Sequence, residues 1–190
     1  MEIVLGSSSP RRKELMKLIG YEFVIAVPSI NEEITESNPV KYVKTIVNKK
    51  GSFIANNFPT SIIVCADTIV VKNNLILGKP KNKDEAFEMI KKLQNNVHSV
   101  YTAVLIQYGK YKKVYVEKTK VYIDPLLDTE IEQYVNTNEP YDKAGGYAIQ
   151  GIFGKHINKI NGDYYNVMGL PINIVYKEIE KIKKGEIYEI

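Results

Sequence analysis

A continuous apolar run from Ser61 to Val71 constrains the fold of this chain more than any other segment. Five apolar residues, Ile62-Ile63-Val64-Cys65-Ala66, are followed by Asp67-Thr68 and then by three more, Ile69-Val70-Val71. A run of this length without polar alternation is typical of a strand that is buried on both faces. The sequence therefore predicts a central strand here.

The aspartate in the middle of that strand needs an explanation of its own. A buried carboxylate costs free energy unless it is paired, hydrogen-bonded or bound to a metal. One interpretation is a structural aspartate that the fold satisfies. Because no residue close to Asp67 in the sequence would pair it, we favour a functional role.

A hydroxyl-rich stretch, Gly-Ser-Ser-Ser-Pro-Arg-Arg from Gly6 to Arg12, separates a short apolar strand from an apolar helix. This arrangement presents free backbone amides to an anion. Pro10 suits the first helical position and Ser9 the N-cap. Arginines at 11 and 12 oppose the helix dipole, which a bound polyanion would explain. An ordinary capped helix with two solvated arginines is the alternative, and we expect Asp67 to lie across a cleft from this stretch.

The remaining pattern alternates strands and helices early and then gives an antiparallel pair of strands. We predict helices from Pro39 to about Asn56, from Asn82, from Asp128 to near Asn136 with a Thr129–Glu132 capping box, and from Pro171. Further strands are predicted over 21–27, 75–77, 99–108, 111–123 and 153–160, with polar loops over 28–39, 139–151 and 162–169. This order predicts an α/β fold with a mixed sheet.

The second helix carries a lysine on its apolar face. Val43, Val47 and Ile54 recur at helical spacing, and Lys50 shares their face whereas Lys49 does not. Such a lysine either extends its ammonium group to solvent or points into a cleft.

Length and composition limit the class of protein. The 190 residues predict one domain, and the net charge of +4 without a basic block fits an acidic small molecule better than nucleic acid. A single cysteine excludes an internal disulfide and favours a reducing compartment. The sequence contains neither a signal-peptide pattern nor a membrane-length apolar run. We expect a cytoplasmic protein with no membrane partner.

Several familiar sites are not supported by the sequence. Neither a P-loop nor a dinucleotide-binding glycine motif is present. His98 and His156 lack zinc-site spacing, Cys65 lies in an apolar run that predicts an inert thiol, and the serines of the first loop have no evident catalytic partners. The residues that remain are two carboxylates and four cations, Glu32, Asp67, Arg11, Arg12, Lys50 and Lys79. Hydrolysis of a phosphoanhydride is one class of reaction that uses this mixture of groups.

Eight motifs together resemble the Maf family, in its order and over nearly the whole chain. They are Ser7-Ser8-Ser9-Pro10-Arg11-Arg12 with Glu14-Leu15, Asn31-Glu32, Lys50, Ala66-Asp67-Thr68, Gly78-Lys79-Pro80, His98-Ser99-Val100-Tyr101-Thr102, Lys143 to Gly151, and Asn166 to Pro171. The resemblance implies a single domain over 1–190 with an elongated mixed sheet, flanking helices and two lobes around a central cleft, as in inosine triphosphatase-type enzymes. It also implies a nucleoside triphosphate pyrophosphatase that cleans nucleotide pools, uses Mg or Mn, and forms a homodimer.

Matched residue by residue, the resemblance makes Asp67 the proton acceptor for the attacking water. Glu32 matches the second acid of the family's Asp-Glu pair, so Glu32 and Asp67 become the candidate metal ligands, while Asn31 replaces the first acid. Lys50 and Lys79 match lysines expected near the triphosphate.

Three positions resemble the branch that hydrolyses dTTP and UTP. That branch has Arg, Thr and Gln where this chain has Arg11, Thr68 and Gln150, and the 7-methyl-GTP branch has Trp, Gln and Glu. A glutamine amide can donate to and accept from the edge that uracil and thymine share. Ser7, Arg11 and Arg12 are then expected to bind phosphate.

Two other functions were weighed against hydrolysis. A non-enzymatic nucleotide-binding regulator of septum formation is suggested by the phenotype behind the family name, but it would not require both Asp67 and Lys50. Nucleic-acid binding lacks the expected basic stripe with interleaved aromatic residues. We therefore predict a pyrophosphatase that converts dTTP and UTP to the nucleoside monophosphate and pyrophosphate.

Overall fold

A computed structural model describes residues 1–187 and contains one mixed seven-stranded sheet. The strands are β1 (Ile3–Gly6), β2 (Val24–Ile25), β3 (Ile62–Lys72), β4 (Leu75–Leu77), β5 (Asn96–Tyr108), β6 (Tyr111–Ile123) and β7 (Ile157–Asn161). Their order is β2-β1-β3-β5-β6-β7, with β4 paired to β3. The pairs β1–β2 and β1–β3 are parallel and the others are antiparallel. The predicted mixed sheet and central strand are confirmed.

Helices cover both faces of this sheet. They are α1 (Pro10–Leu18), α2 (Pro39–Asn57), α3 (Lys83–Leu93), α4 (Asp128–Val135), α5 (Tyr164–Met168) and α6 (Ile172–Lys183). α2 packs against Ile63 and Cys65 of β3 on one face. On the other face, α1 and α6 pack against Val64, while α3 and α4 pack around Val70 further along the same strand. These two separate apolar clusters form the two predicted lobes.

The ends of the helices follow from particular side chains. The Asn38 Oδ1 atom accepts hydrogen bonds from the amides of Val40 and Lys41, so α2 begins where the Asn38-Pro39 pair predicts. Asn82 caps α3 in the same way, through the amide of Glu85. No helix within residues 1–187 combines the length and apolar character needed to cross a membrane.

Of two predicted helix caps, Ser9 is confirmed at the N-cap position of α1, whereas the capping box predicted for α4 was wrong. Ser9 occupies the N-cap position of α1 without a side-chain capping bond, and its amide instead donates to Ser7 Oγ at 3.2 Å. α4 begins at Asp128 as predicted, but Glu130 rather than Glu132 reaches back, and it accepts the Leu127 amide at 2.8 Å.

Three predicted element boundaries were also wrong. The strand predicted over 21–27 is only β2, and the one predicted over 153–160 begins as a 3₁₀ turn (Ile152–His156) before β7. The loop predicted over 162–169 contains the five-residue helix α5. Asp163 caps that helix through the amide of Tyr165, and Gly169 ends it in the left-handed conformation.

The sheet has a notch beside its central strand. β1 pairs with β3 as far as Gly6↔Cys65, and β4 begins to pair with the same edge at Val70↔Leu77. Among the described residues, no strand pairs with this edge of β3 from Ala66 to Ile69, which we call the notch. Because successive side chains point to opposite faces of a strand, Asp67 and Thr68 leave β3 in opposite directions beside this gap.

The predicted loop over 139–151 packs against the central strand beyond the notch. It contains two 3₁₀ turns, Pro140–Asp142 and Ala144–Gly146. The Gly145 amide donates to Gly78 O at 3.0 Å, and its φ of 74° lies in the left-handed region. A Cβ at this position would lie 2.7 Å from Val70 Cγ2. The loop can approach β3 this closely because residue 145 is glycine.

We predict that Gly145→Ala destabilises the protein more than Gly109→Ala does. Both glycines have positive φ, but a Cβ at Gly109 meets nothing within 4 Å. The control should therefore lose only the conformational term of about 1 kcal/mol, whereas crowding against Val70 should bring the loss at Gly145 to about 3 kcal/mol. Urea unfolding measures both free energies, and equal losses would contradict close packing of this loop on β3.

Candidate active site

A cleft of about 570 Å³ opens at the notch, between the loop after β1, the side of α2 that carries Tyr42 and Lys50, and the 139–151 loop. All nine residues singled out from the sequence line it, namely Ser7, Arg11, Arg12, Glu32, Lys50, Asp67, Thr68, Lys79 and Gln150. The fold thus brings together side chains that are spread over more than 140 residues of sequence.

A buried ion pair lies at the base of the cleft. Lys50 Nζ is 2.8 Å from Asp67 Oδ1, and the two side chains are only 8% and 11% exposed. Lys50 is on the face of α2 that packs against the sheet, so its ammonium group meets the carboxylate that β3 carries. Asp67 therefore has the partner that its neighbours in the sequence could not supply.

A second carboxylate shares the same ammonium group. Glu32 Oε1, from the loop between β2 and α2, is 3.1 Å from Lys50 Nζ, and its side chain is 56% exposed. The neighbouring Asn31 makes a local contact instead: its Oδ1 accepts a hydrogen bond from the Glu33 amide at 2.8 Å. Lys50 Nζ thus contacts both carboxylates.

These carboxylates fit one mode of divalent metal binding. Mg²⁺ is commonly held by one or two carboxylates together with substrate phosphates, and it keeps several of its waters. Residues 1–187 contain no cluster of three or more His, Cys, Asp or Glu side chains that could hold a metal ion. Glu32 and Asp67 therefore suit an ion that arrives with a phosphate ligand, and they do not form a closed structural metal site.

Arg12 donates hydrogen bonds to three separate segments that border the cleft. Its Nε donates to Gly169 O at 2.8 Å, Nη1 to Ser7 Oγ at 3.1 Å, and Nη2 to Thr68 Oγ1 at 3.1 Å. Burial lowers the pKa of Arg12, and the negative charge of Asp67 opposes that shift. The expected position of Asp67 across the cleft was wrong, because β1 and β3 are adjacent and Arg12 bonds to both the first loop and Thr68.

A polar network continues from Thr68 into the interior. The hydroxyl groups of Thr68 and Thr102 are 2.9 Å apart, and Thr102 Oγ1 donates to Asn166 O at 2.9 Å. Asn166 is fully buried and donates to Val100 O at 3.2 Å and to Thr119 Oγ1 at 2.8 Å. The Thr68 hydroxyl is thus already engaged by protein groups.

Arg11 extends across the mouth of the cleft to the 139–151 loop. Its Nη1 is 3.0 Å from Asp142 Oδ2, and its Nη2 donates to Asp142 O at 3.5 Å. The other carboxylate oxygen of Asp142 is 2.5 Å from Lys143 Nζ. Partial burial alone would raise the pKa of Asp142, but hydrogen bonds from Lys143 and Arg11 outweigh burial and lower the pKa below its usual value.

Lys79 and Gln150 reach the cleft from exposed positions. Lys79 follows β4, and Gln150 lies in the turn before Gly151. That turn is fixed by the Glu139 carboxylate, which accepts the amides of Ile152 at 2.7 Å and Phe153 at 3.2 Å.

Three residues that line the cleft were not predicted as site residues from the sequence. Tyr42 precedes Lys50 by eight residues on α2, a spacing that could have indicated a shared side of the helix. Burial raises the pKa of Tyr42, with a further contribution from Asp67 and Glu32. Tyr147 is buried, and its hydroxyl lies 2.6 Å from His98 Nε2. Asp142, the third, sits in a polar loop where no local pattern distinguishes it.

The single cysteine behaves as its apolar surroundings suggest. Cys65 is fully buried and forms no disulfide. Burial raises the pKa of its thiol to about 12. At neutral pH the group is protonated and therefore not a nucleophile.

Acidic side chains, ammonium groups and guanidinium groups converge on one cleft of an α/β sheet. This combination is typical of enzymes that act on a small polyanion. The chain belongs to the Maf-like protein family, whose model matches residues 2–182. It is 45% identical over 185 residues to a dTTP/UTP pyrophosphatase of Thermoanaerobacter sp. (strain X514), covering 95% of this chain and 96% of the relative. It is 41% identical over 183 residues to the dTTP/UTP pyrophosphatase of Carboxydothermus hydrogenoformans, covering 95% and 98%.

A solved structure described as the Staphylococcus aureus Ham1 protein also resembles this chain. The TM-score is 0.48 and the identity 14%, over 83% of this chain and 80% of that one. A likeness of this size supports no statement about function.

We predict that Lys50→Met destabilises the protein at neutral pH by about 3 kcal/mol, because removal of one partner leaves buried charge uncompensated. Urea unfolding at neutral pH measures the effect. Lys49→Met, which changes an exposed lysine one position away, is the matched control. A loss no larger than that of Lys49→Met would contradict the ion pair as its cause.

Proposed function

We propose that this protein is a nucleoside triphosphate pyrophosphatase that hydrolyses dTTP and UTP to the nucleoside monophosphate and pyrophosphate. The observation that carries the proposal is the buried Lys50–Asp67 pair at the base of a cleft lined by Arg11, Arg12 and Lys79. The names of the relatives with 41–45% identity over most of the chain support the same reaction and substrates.

We assign different roles to the two carboxylate oxygens of Asp67. Lys50 contacts Oδ1 and so fixes the direction of the carboxylate. We assign the second oxygen as the acceptor of a proton from the water that attacks the α-phosphorus. A new bond forms between that water oxygen and the α-phosphorus, and the bond to the oxygen bridging the α- and β-phosphates breaks. Pyrophosphate leaves with the bonding electrons.

Cationic groups then stabilise the charge that moves to the leaving pyrophosphate. Lys79 is exposed at the cleft, so its ammonium group is available to a phosphate. Arg12 differs, because three protein acceptors already fix its guanidinium group beside Ser7. We assign Arg12 to a preorganised positive charge and Ser7 to the phosphate-facing loop that this arginine fixes.

A divalent cation, Mg²⁺ or Mn²⁺, fits the pair of carboxylates at this end of the cleft. Glu32 and Asp67 would hold it together with the phosphates of the substrate. When bound, such an ion supplies Lewis-acid polarisation of phosphoryl oxygens. Glu32 comes from a long loop and is more than half exposed, so it can adjust to the ion as substrate enters.

Selectivity for the pyrimidine base is assigned to Gln150 and Arg11. Gln150 is exposed at the cleft, and its amide can both donate and accept a hydrogen bond, as the shared edge of uracil and thymine requires. Thr68 contributes less directly, because its hydroxyl bonds to Arg12 and Thr102. We assign Thr68 to fixing Arg12.

The direct test is a screen of nucleoside triphosphates with Mg²⁺ and with Mn²⁺, following release of pyrophosphate. We expect dTTP and UTP to exceed GTP and ATP in kcat/KM by up to about 100-fold, the discrimination against a wrong base that one good pair of hydrogen bonds to a base edge provides. Release of phosphate with nucleoside diphosphate would contradict cleavage between the α- and β-phosphates. Equal rates on all bases would contradict the pyrimidine assignment.

A further inference from the structure

Asp142 is the one acidic side chain that bonds to Arg11 among the described contacts of the cleft. The two residues come from opposite lobes. Arg11 lies in the first turn of α1, and Asp142 ends the 3₁₀ turn Pro140–Asp142 of the far loop. Their ion pair therefore fixes the position of the Arg11 guanidinium group at the mouth of the cleft.

We propose that Asp142 is a positioning residue for substrate selectivity: it holds Arg11 in the place from which Arg11 meets the nucleotide. The inference rests on the proposed function, in which Arg11 contacts the substrate. It adds a residue that the sequence did not single out, and it assigns to the ion pair a task other than holding the lobes together.

The geometry leaves Arg11 able to bind a ligand while it is held. A guanidinium group has five N–H donors. Only Nη1 makes a close contact with Asp142, at 3.0 Å, and the second contact, from Nη2 to the carbonyl oxygen, is long at 3.5 Å. Donors therefore remain for the substrate. A held arginine also loses less side-chain freedom on binding than a free one.

The local charges permit a carboxylate at the entrance of a site for a polyanion. An uncompensated aspartate here would repel the triphosphate. Lys143 Nζ contacts the second oxygen of Asp142 and donates to Glu139 O at 2.7 Å, so this lysine is fixed as well. Two cations around one anion leave one net positive charge, and the mouth of the cleft stays attractive to phosphate.

Gln150 is positioned by the same loop. Glu139 accepts the amides of Ile152 and Phe153 just beyond Gln150. A Cβ on Gly151 would lie 2.2 Å from the Glu139 carboxylate, so the turn has little room to move. Asp142 thus links Arg11 to the loop that carries the other proposed selectivity residue, and it fixes the distance between them.

The test measures the selectivity ratio, kcat/KM for dTTP over kcat/KM for GTP, in Asp142→Asn. We expect the ratio to fall about fivefold, within the range that loss of one exposed ion pair supports. The decrease should arise mainly from a higher KM for dTTP. Partial unfolding cannot mimic this result, because a smaller folded fraction lowers turnover on both substrates and leaves the ratio unchanged.

Two further variants separate positioning from a general charge effect. Asp128→Asn removes the same charge from an exposed ion pair with Lys91, outside the cleft residues, and should leave the ratio unchanged. In an Arg11→Ala background, Asp142→Asn should cause no further decrease, because the residue acts through Arg11. An unchanged ratio in Asp142→Asn, or an equal decrease in the Arg11→Ala background, would overturn the proposal.

A second measurement does not depend on turnover. Calorimetry gives Kd for dTTP and for GTP in an Asp67→Asn background, and the ratio of these two Kd values is compared with and without Asp142→Asn. A wild-type protein that releases no pyrophosphate would overturn the proposed function alone. The binding ratio with and without Asp142→Asn would still decide whether Asp142 positions Arg11. A ratio near one in both proteins would overturn the positioning proposal.

Discussion

The buried contact between Lys50 and Asp67 is the interaction on which the arrangement of this site depends. A carboxylate within a central strand is unfavourable unless an opposite charge is brought to it. α2 provides that charge by packing its apolar stripe against the sheet with Lys50 on the same face. The packing of α2 against the sheet therefore also places the Lys50 ammonium group beside Asp67.

The notch explains why the cleft forms where it does. Strands β1 and β4 use the same edge of β3 but leave the segment Ala66–Ile69 between them uncovered on that edge, among the described residues. Side chains from both faces of the strand border this gap. Asp67 meets α2 on one side, while Thr68 meets Arg12 on the other. One short stretch of backbone can thus place a reactive group and a fixed positive charge in the same cleft.

The sequence predicted those parts of the structure that depend on periodic burial. The face shared by Val43, Val47, Lys50 and Ile54 followed from helical spacing, and the continuous apolar run identified β3. What it could not show was register and long-range pairing. The notch depends on where β1 ends relative to β4. Asp142, the partner of Arg11, is 131 residues away in the sequence, and Gly169, one of the partners of Arg12, is 157 residues away. The helix α5 was missed because five residues are too few to show a period.

The central claim is that Asp67, held by Lys50, accepts the proton from the attacking water. Its most direct measurement is pyrophosphate release from dTTP by Asp67→Asn, with dTTP binding and thermal stability followed in the same protein. Loss of a general base should slow turnover by about 10³-fold, while dTTP still binds and the protein stays folded. Turnover within a few-fold of the wild-type rate, by a folded protein that binds dTTP, would contradict the account.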